Sequence, residues 1–344
     1  MRLSGRLVPL TRHRRSRVKR GGDNRRLGLS LVVPGNRIGR WVVVTVLSDA
    51  DVRARLRADE AVGWMREAVV AAHEGRLRTP PRVSTDLGAG RLVFTTGALE
   101  GEWYGYRSYD SFDVEPGQQV VVLQDWATGE VRAIAVGNEL GPRRVGAIGG
   151  VAVDALAKPG AETLALIGTG TQAFTQLWAI SAVRRLSSVR VFSRDHERRI
   201  AFVARASEEL GLPATAVDSA QQAVEGADVV VLATNSPTPV IDPAWIEDGA
   251  FVTTLGPKQR GRAEFGPELI DRADLVVTDS IAQTRAYDPP FILTGTPQHD
   301  RLTSLGAALS GDVTGVTVLF CSVGLAGTEA YLLARLIDSG HGVQ

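Results

Sequence analysis

The feature that most constrains this chain of 344 residues is the stretch 163–173, TLALIGTGTQA. A short apolar run, Leu164-Ala165-Leu166-Ile167, meets Gly168-Thr169-Gly170-Thr171-Gln172-Ala173 and passes into residues 174–183, which read as a helix. Strand, glycine turn and helix follow one another in the G-x-G-x-x-A form. In that form Gly168 makes the tight turn and Gly170 lets the backbone approach a pyrophosphate. Ala173 lets the helix pack close to the strand, so that free N–H groups and the positive end of the helix face the phosphates. Alone, the spacing also suits a turn that merely joins a strand to a helix.

The following residues narrow that choice. SVRVFS at 188–193, DVVVLAT at 228–234, and the runs 251–255 and 275–278 read as further strands. Helical segments lie between most of them, at 195–210 and 220–227. Near-continuous Val, Leu and Ile runs alternating with helices indicate a parallel sheet buried on both faces. The expected fold class is therefore α/β, a doubly wound Rossmann sheet that binds a dinucleotide.

The end of the second strand bears on which dinucleotide. Ser193 lies 25 positions after Gly168, where NAD-binding folds usually carry Asp or Glu for the ribose hydroxyls. A 2′-phosphate is repelled by an acid there and attracted by arginine. Ser193 removes the negative charge and Arg194 offers a cation, which favours NADP(H) over NAD(H). Asp195 keeps NAD open, because a strand ending one residue later restores the acid. Thr234-Asn235-Ser236 ends the third strand and is expected to line the nicotinamide-ribose side.

The net charge of +1 hides an asymmetry. Residues 1–40 carry twelve of the 39 Lys/Arg and one of the 38 acids, which leaves 27 bases and 37 acids for the remainder. An acidic body argues against nucleic acid as its partner. The basic arm, 1–40, reads as a disordered tail or an upstream stretch translated from an early start, with nucleic acid or an anionic membrane as other readings. Arg25-Arg26 before 27–33 raises a twin-arginine export signal, but the apolar run is short and Arg37 and Arg40 follow. No run approaches the roughly 18 apolar residues of a membrane span. Cys321 is the single cysteine, so an internal disulfide is ruled out and the cytoplasm is the expected compartment. His13, His73, His196, His299 and His341 show no metal spacing, and no metal is expected.

Ahead of the dinucleotide region, residues 45–140 read as a mostly antiparallel sheet with a helix or two. Strand-like runs lie at 41–46, 91–96, 103–111, 119–125 and 131–136; Ser48-Asp49-Ala50-Asp51 opens a helix with a cap, and 59–74 is amphipathic and ends at Gly75.

Several spaced motifs resemble those of the ornithine cyclodeaminase/mu-crystallin family. They are G-x-x-x-x-P-P-R at 75–82, Y-G-Y-R at 104–107, L-x-D-x-x-T-G at 123–129, and Arg143-Arg144 leading into a helix at 149–157. Then come GTGTQA at 168–173, A-T-N-S-x-x-P at 233–239, G-P-K with a following Glu at 256–264, and F-C-S-V-G-L-A at 320–326. The resemblance runs from about Val43 to Leu336. It implies a Rossmann domain at 146–300 joined to an α+β substrate and dimerisation domain made from 41–145 and 301–344. It also implies a homodimer, a small amino or imino acid as substrate, and Gly324 beside the cofactor.

By the same resemblance, Arg82 and Arg144 match arginines that bind the substrate carboxylate. A planar guanidinium grips a carboxylate through two parallel hydrogen bonds. Read without the family, Arg82 is also a surface residue after a Pro-Pro turn, and Arg143 and Arg144 also suit structural ion pairs. Two positions depart from the cyclodeaminase pattern. Arg107 stands where cyclodeaminases carry a lysine, and arginine cannot shuttle a proton. Lys258 stands where they carry a catalytic aspartate, and a lysine there repels the side-chain ammonium of ornithine. Lys258 fits a substrate with an acidic or neutral group, or an acid/base role; an exposed loop lysine in KQRGR is the other reading. Tyr104, Tyr106, Tyr109 and Asp110 are further candidate proton donors beside Arg107.

The expected function is an NAD(P)-dependent oxidoreductase acting on the carbon–nitrogen bond of a small α-amino or imino acid. Arg82 and Arg144 hold the carboxylate, Arg107 polarises the substrate, and Lys258 or a water exchanges the proton. The alternatives are an ammonia-releasing amino-acid cyclodeaminase and a non-catalytic, crystallin-like NADPH-binding protein.

Overall fold

The structure, a computed structural model, describes residues 29–35, 41–112, 118–311 and 316–339. The apolar runs assemble one all-parallel sheet. Among the described residues it has eight strands, in the order Ala214–Ala216, Ser188–Phe192, Thr163–Ile167, Val229–Leu232, Phe251–Thr254, Val318–Cys321, Leu275–Thr278 and Thr303–Ser304. Leu164, Leu166, Val229 and Val231 enter one hydrophobic core, whereas Ala165, Ile167, Val230 and Leu232 enter a second on the opposite face. Burial on both faces explains why these strands are apolar throughout instead of alternating. The chain runs outward from Thr163–Ile167 on one side, then crosses to Val229–Leu232 on the other. That reversal opens a crevice at the carboxyl ends of the two strands.

The second sheet is mostly antiparallel, in the order Leu29–Pro34, Trp41–Leu47, Val131–Gly137, Gln119–Asp125, Trp103–Asp110, Arg91–Leu99 and Leu77–Arg78, with Val83–Asp86 also paired to Arg91–Leu99. Its strands alternate: Val93 and Leu99 are buried, whereas Phe94 and Thr96 between them are exposed. The inner face packs on helices Ala58–His73, Leu140–Leu156 and Thr328–Asp338. Ser48 and Asp51 cap the helix Asp49–Arg55 reciprocally, each side chain accepting the other's backbone N–H.

Three expectations need correction. The arm is not irregular to residue 40, because Leu29–Pro34 pairs with Trp41–Leu47; its β-branched residues extend the sheet. Residues 1–28, with the twin-arginine pair, lie outside the described residues. The stretch 301–344 does not return to the first domain as a block. Val318–Cys321 is apolar on both faces and fits between Phe251–Thr254 and Leu275–Thr278 in the parallel sheet. Among the described residues of that stretch, Thr328–Asp338, amphipathic and therefore suited to a one-sided sheet, packs on the antiparallel layer, and Leu305–Ala308 packs on helix Ala58–His73. Finally, the helix expected at 149–157 begins at Leu140, so a boundary at 145/146 falls inside a helix that both domains share.

Candidate active site

The crevice at the sheet reversal encloses about 730 Å³ and is lined by the glycine turn, the end of the second strand and residues 233–240. Gly168 sits at φ +113, and a Cβ there would lie 2.2 Å from the carbonyl oxygen of Ala233. Only glycine meets both demands. Gly170 precedes helix Thr171–Ile180, and a Cβ on it would meet nothing within 4 Å. Its outer side is therefore open, and the first amides of the helix have no carbonyl one turn back to bond. Backbone amides, a helix start and space for a diphosphate coincide there, so these residues fit a dinucleotide.

Gly168, Gly170, Thr171, Gln172, Ser193, Arg194, Thr234, Asn235 and Ser236 all line this crevice. Ala173 does not; it is wholly buried and serves the packing of helix on strand. The strand ends at Phe192 and Asp195 caps the next helix, its carboxylate accepting the Arg198 N–H at 3.0 Å. Arg194 and Arg198 also border the crevice. Thr234 donates its N–H and hydroxyl to Glu264, at 2.9 and 2.8 Å, and the same carboxylate accepts the amides of Leu255 and Gly256.

Next to the crevice the two domains bring cations together. Arg107, on strand Trp103–Asp110, donates to Gln119 at 2.9 Å and to Glu329 Oε1 at 2.7 Å, and lies over the Tyr109 ring. Arg144, on the shared helix, donates to the same Glu329 oxygen from one Nη, while its Nε and other Nη have no partner. Arg82 donates to the carbonyl of Val323 at 3.3 Å and stacks near Tyr287. Among the described residues it makes no ion pair. Burial works against its charge, but Tyr287 and Tyr109 outweigh that and raise its pKa further. Arg143 stands apart, paired with Glu139 and lying over Trp178, in the structural role that its sequence left open.

Lys258 is not an exposed loop lysine. It is 1% exposed, and Nζ donates to the Gly256 carbonyl at 2.7 Å. The short strand Lys258–Gln259 turns its side chain inward, where burial lowers its pKa, opposed by Glu264, Cys321 and Asp279 and assisted by Arg82. Asp279 follows strand Leu275–Thr278 and accepts the amides of Val323 and Gly324. Burial raises its pKa against those bonds and the nearby Arg144 and Lys258. Gly324, at φ +94, passes close to Arg144 and lies on this cation side of the site, outside the crevice lining. Burial also pushes Tyr287 and Cys321 up to about 12.

Glu329 and Asp279 are absent from the sequence reading. Glu329 looks like an ordinary acid in the first turn of a helix, and only the packing of that helix buries it to 1% exposure. Burial tends to raise its pKa, but Arg144 and Arg107 overcome this and hold it low. Asp279 carried one usable signal, an acid directly after an apolar strand.

Among the described residues, no three His, Cys, Asp or Glu side chains group to hold a metal, and no helix is long and apolar enough to cross a membrane. Fold and site together define a two-domain α/β protein with a dinucleotide-type crevice beside a cluster of arginines and one buried lysine. The comparisons then give the lineage. Residues 42–339 match the model of the ornithine cyclodeaminase/mu-crystallin family, and the chain belongs to that family. It is 33% identical over 300 residues to a Delta(1)-pyrroline-2-carboxylate reductase of Bacillus cereus, covering 83% of this chain and 89% of that one. It is 32% identical over 200 residues to the iminosuccinate reductase of Paracoccus denitrificans, covering 58% and 62%. In fold it resembles the Thermococcus litoralis Delta(1)-pyrroline-2-carboxylate reductase solved with NADH and L-proline. That match has a TM-score of 0.77 and 24% identity, over 87% of this chain and 99% of the other. An archaeal alanine dehydrogenase dimer with bound NAD also has a TM-score of 0.77, at 22% identity over 86% and 96%.

Proposed function

We propose that this protein is an oxidoreductase that uses a nicotinamide dinucleotide to reduce the carbon–nitrogen double bond of a small imino acid, or runs the reverse on the amino acid. The observation that carries this reading is the pair Arg82 and Lys258. Both lie beside the dinucleotide crevice, and neither forms an ion pair among the described residues. A guanidinium with no ion pair, as at Arg82, suits an anionic substrate group. The buried ammonium of Lys258, with Glu264 and Asp279 near it but not paired to it, suits a group that takes up a proton. The named activities of the relatives, reductases of pyrroline-2-carboxylate and iminosuccinate, support the same chemistry.

In this mechanism Arg82 and the unpartnered Nε and Nη of Arg144 hold the substrate carboxylate, fixing the α-carbon. Arg107 is committed to Gln119 and Glu329, so it contributes charge and holds the recess together. The nucleotide, when bound, supplies or accepts the hydride. Lys258 holds a proton at Nζ for the substrate nitrogen, as a desolvated lysine can. Its ammonium also disfavours the cationic side chain that an ornithine cyclisation requires.

NADP(H) is the preferred cofactor in this proposal. Arg194, Asp195 and Arg198 line the crevice; the Asp195 carboxylate caps the next helix and pairs with Arg198 at 3.4 Å, which leaves Arg194 as the cation for a 2′-phosphate. A homodimer belongs to the proposal as well. The outer face of the antiparallel sheet exposes Val83, Phe94 and Tyr106, an apolar patch that a second copy would cover. A reducing compartment such as the cytoplasm is part of the same reading and suits the single buried cysteine.

The test follows the near-ultraviolet absorbance of the reduced nicotinamide, with NADPH and NADH separately, across cyclic imino acids and 2-oxo acids with ammonium. Net consumption of reduced cofactor is expected. Ammonia release from ornithine without net cofactor change would favour a cyclodeaminase, and tight binding without turnover a carrier.

A further inference from the structure

We infer that Glu329 is the residue that restricts this site to substrates bearing a single carboxylate. The inference rests on the oxidoreductase reading and concerns which imino acids the same recess accepts. Seven charged side chains form one interacting group: Arg82, Arg107, Arg144 and Lys258 against Glu264, Asp279 and Glu329. Four positive and three negative charges leave a surplus of one. A single substrate carboxylate cancels that surplus. A second would stand uncompensated where little water reaches, a costly arrangement. Burial pushes Lys258 and Asp279 toward their neutral forms with opposite effects on the sum. Loss of the Lys258 proton lowers the surplus by one and a proton gained by Asp279 restores it, so a proton passed between the two leaves the surplus at one.

The three acids differ in what they hold. Glu264 accepts the amides of Thr234, Leu255 and Gly256, and Asp279 those of Val323 and Gly324, so both organise backbone. Glu329 instead faces two guanidinium groups, Arg107 and Arg144, through Oε1, and its Oε2 has no partner. It stands to those arginines as the second carboxylate of a substrate would, a counter-anion carried by the protein itself. Glu329 therefore cancels one positive charge and occupies the donors that a dicarboxylate would need. It acts through the arginines, as a positioning residue that sets specificity.

The experiment compares two substrates that differ by one carboxylate: pyruvate with ammonium and oxaloacetate with ammonium, each with reduced cofactor. The readout is the ratio of kcat/KM for the dicarboxylate to that for the monocarboxylate. Wild type is expected to favour pyruvate. E329Q, nearly isosteric and one charge more positive, should raise the ratio about ten-fold or more, the effect of a unit charge in a poorly solvated site. E329D keeps the charge and should retain the wild-type ratio, whereas R107Q should lower it. R107Q also decides the matter if E329Q does not fold. An unchanged ratio in folded E329Q, or in R107Q, overturns the inference even if overall activity falls. If wild type reduces no imine at all, the oxidoreductase reading fails separately. The same ratio is then read by calorimetry from the affinities of propionate and succinate for protein with NADPH present.

Discussion

Replacing Arg194 with alanine should separate the two cofactors. Arg194 is exposed at the crevice, beside Ser193 at the end of strand Ser188–Phe192, and makes no ion pair among the described residues. Its removal should leave folding intact. A charge-assisted bond to a 2′-phosphate contributes about 1.5–3 kcal/mol when sheltered, and an exposed pair about 1 kcal/mol or less. Taking about 1–2 kcal/mol, Arg194→Ala should weaken NADPH about 5- to 30-fold. NADH, lacking that phosphate, should change by less than about two-fold, and the wild-type preference should shrink as salt screens the pair. Asp195→Ala is the internal control. Its carboxylate caps helix His196–Leu210, so its loss should cost about 0.5–2 kcal/mol of stability and affect both cofactors alike. Nucleotide titrations followed by protein fluorescence, at low and moderate salt, measure all of these. Equal losses for NADPH and NADH in Arg194→Ala, or a cofactor switch in Asp195→Ala, would refute the reasoning.

Other perturbations have equally definite outcomes. Because burial depresses the Lys258 pKa, imine reduction that uses its proton should decline as pH rises through a value below the ordinary lysine range; Lys258→Met should abolish that limb in a pH–rate profile and lower kcat about 100-fold or more. The same depressed pKa makes the folded state bind fewer protons than the unfolded chain between the two values, so Lys258 should make thermal stability rise with pH across that window and Lys258→Met should flatten the rise. Gly168→Ala should destabilise the fold, given φ +113 and the Ala233 carbonyl in its way, whereas Gly170→Val should melt near the wild-type temperature yet bind nucleotide poorly. Arg82→Ala should raise KM about 10- to 100-fold with little loss of stability, while Arg144→Ala, which removes one partner of a buried carboxylate, should also cost about 3–5 kcal/mol in chemical denaturation. Tyr106→Glu, on the exposed sheet face, should convert the expected dimer to monomer in light scattering.

Local order made much of this molecule legible. The glycine turn, the doubly buried strands and the residues of the crevice wall lie within short sequence windows, and their conformation follows from neighbouring residues. The strand Val318–Cys321 was not legible as part of the parallel sheet. Its run of four apolar residues is a short local signal for a doubly buried strand, but its neighbours Phe251–Thr254 and Leu275–Thr278 are far away in the chain, so its place between them could not be read locally. Lys258 shows the same limit. In KQRGR it has the surroundings of a surface loop, and its burial depends on how a two-residue strand pairs with Arg262–Ala263.

The sequence by itself determined a parallel α/β dinucleotide domain, its phosphate-facing turn and the identity of its candidate cations, because periodicity and glycine placement act over a few residues. Only the tertiary structure decided which of those cations already possess a counter-charge. Glu329 meets Arg107 and Arg144 across separations of 222 and 185 residues. Electrostatic pairing depends on distance in space, and that distance exists only once helix Thr328–Asp338 has packed against the antiparallel sheet.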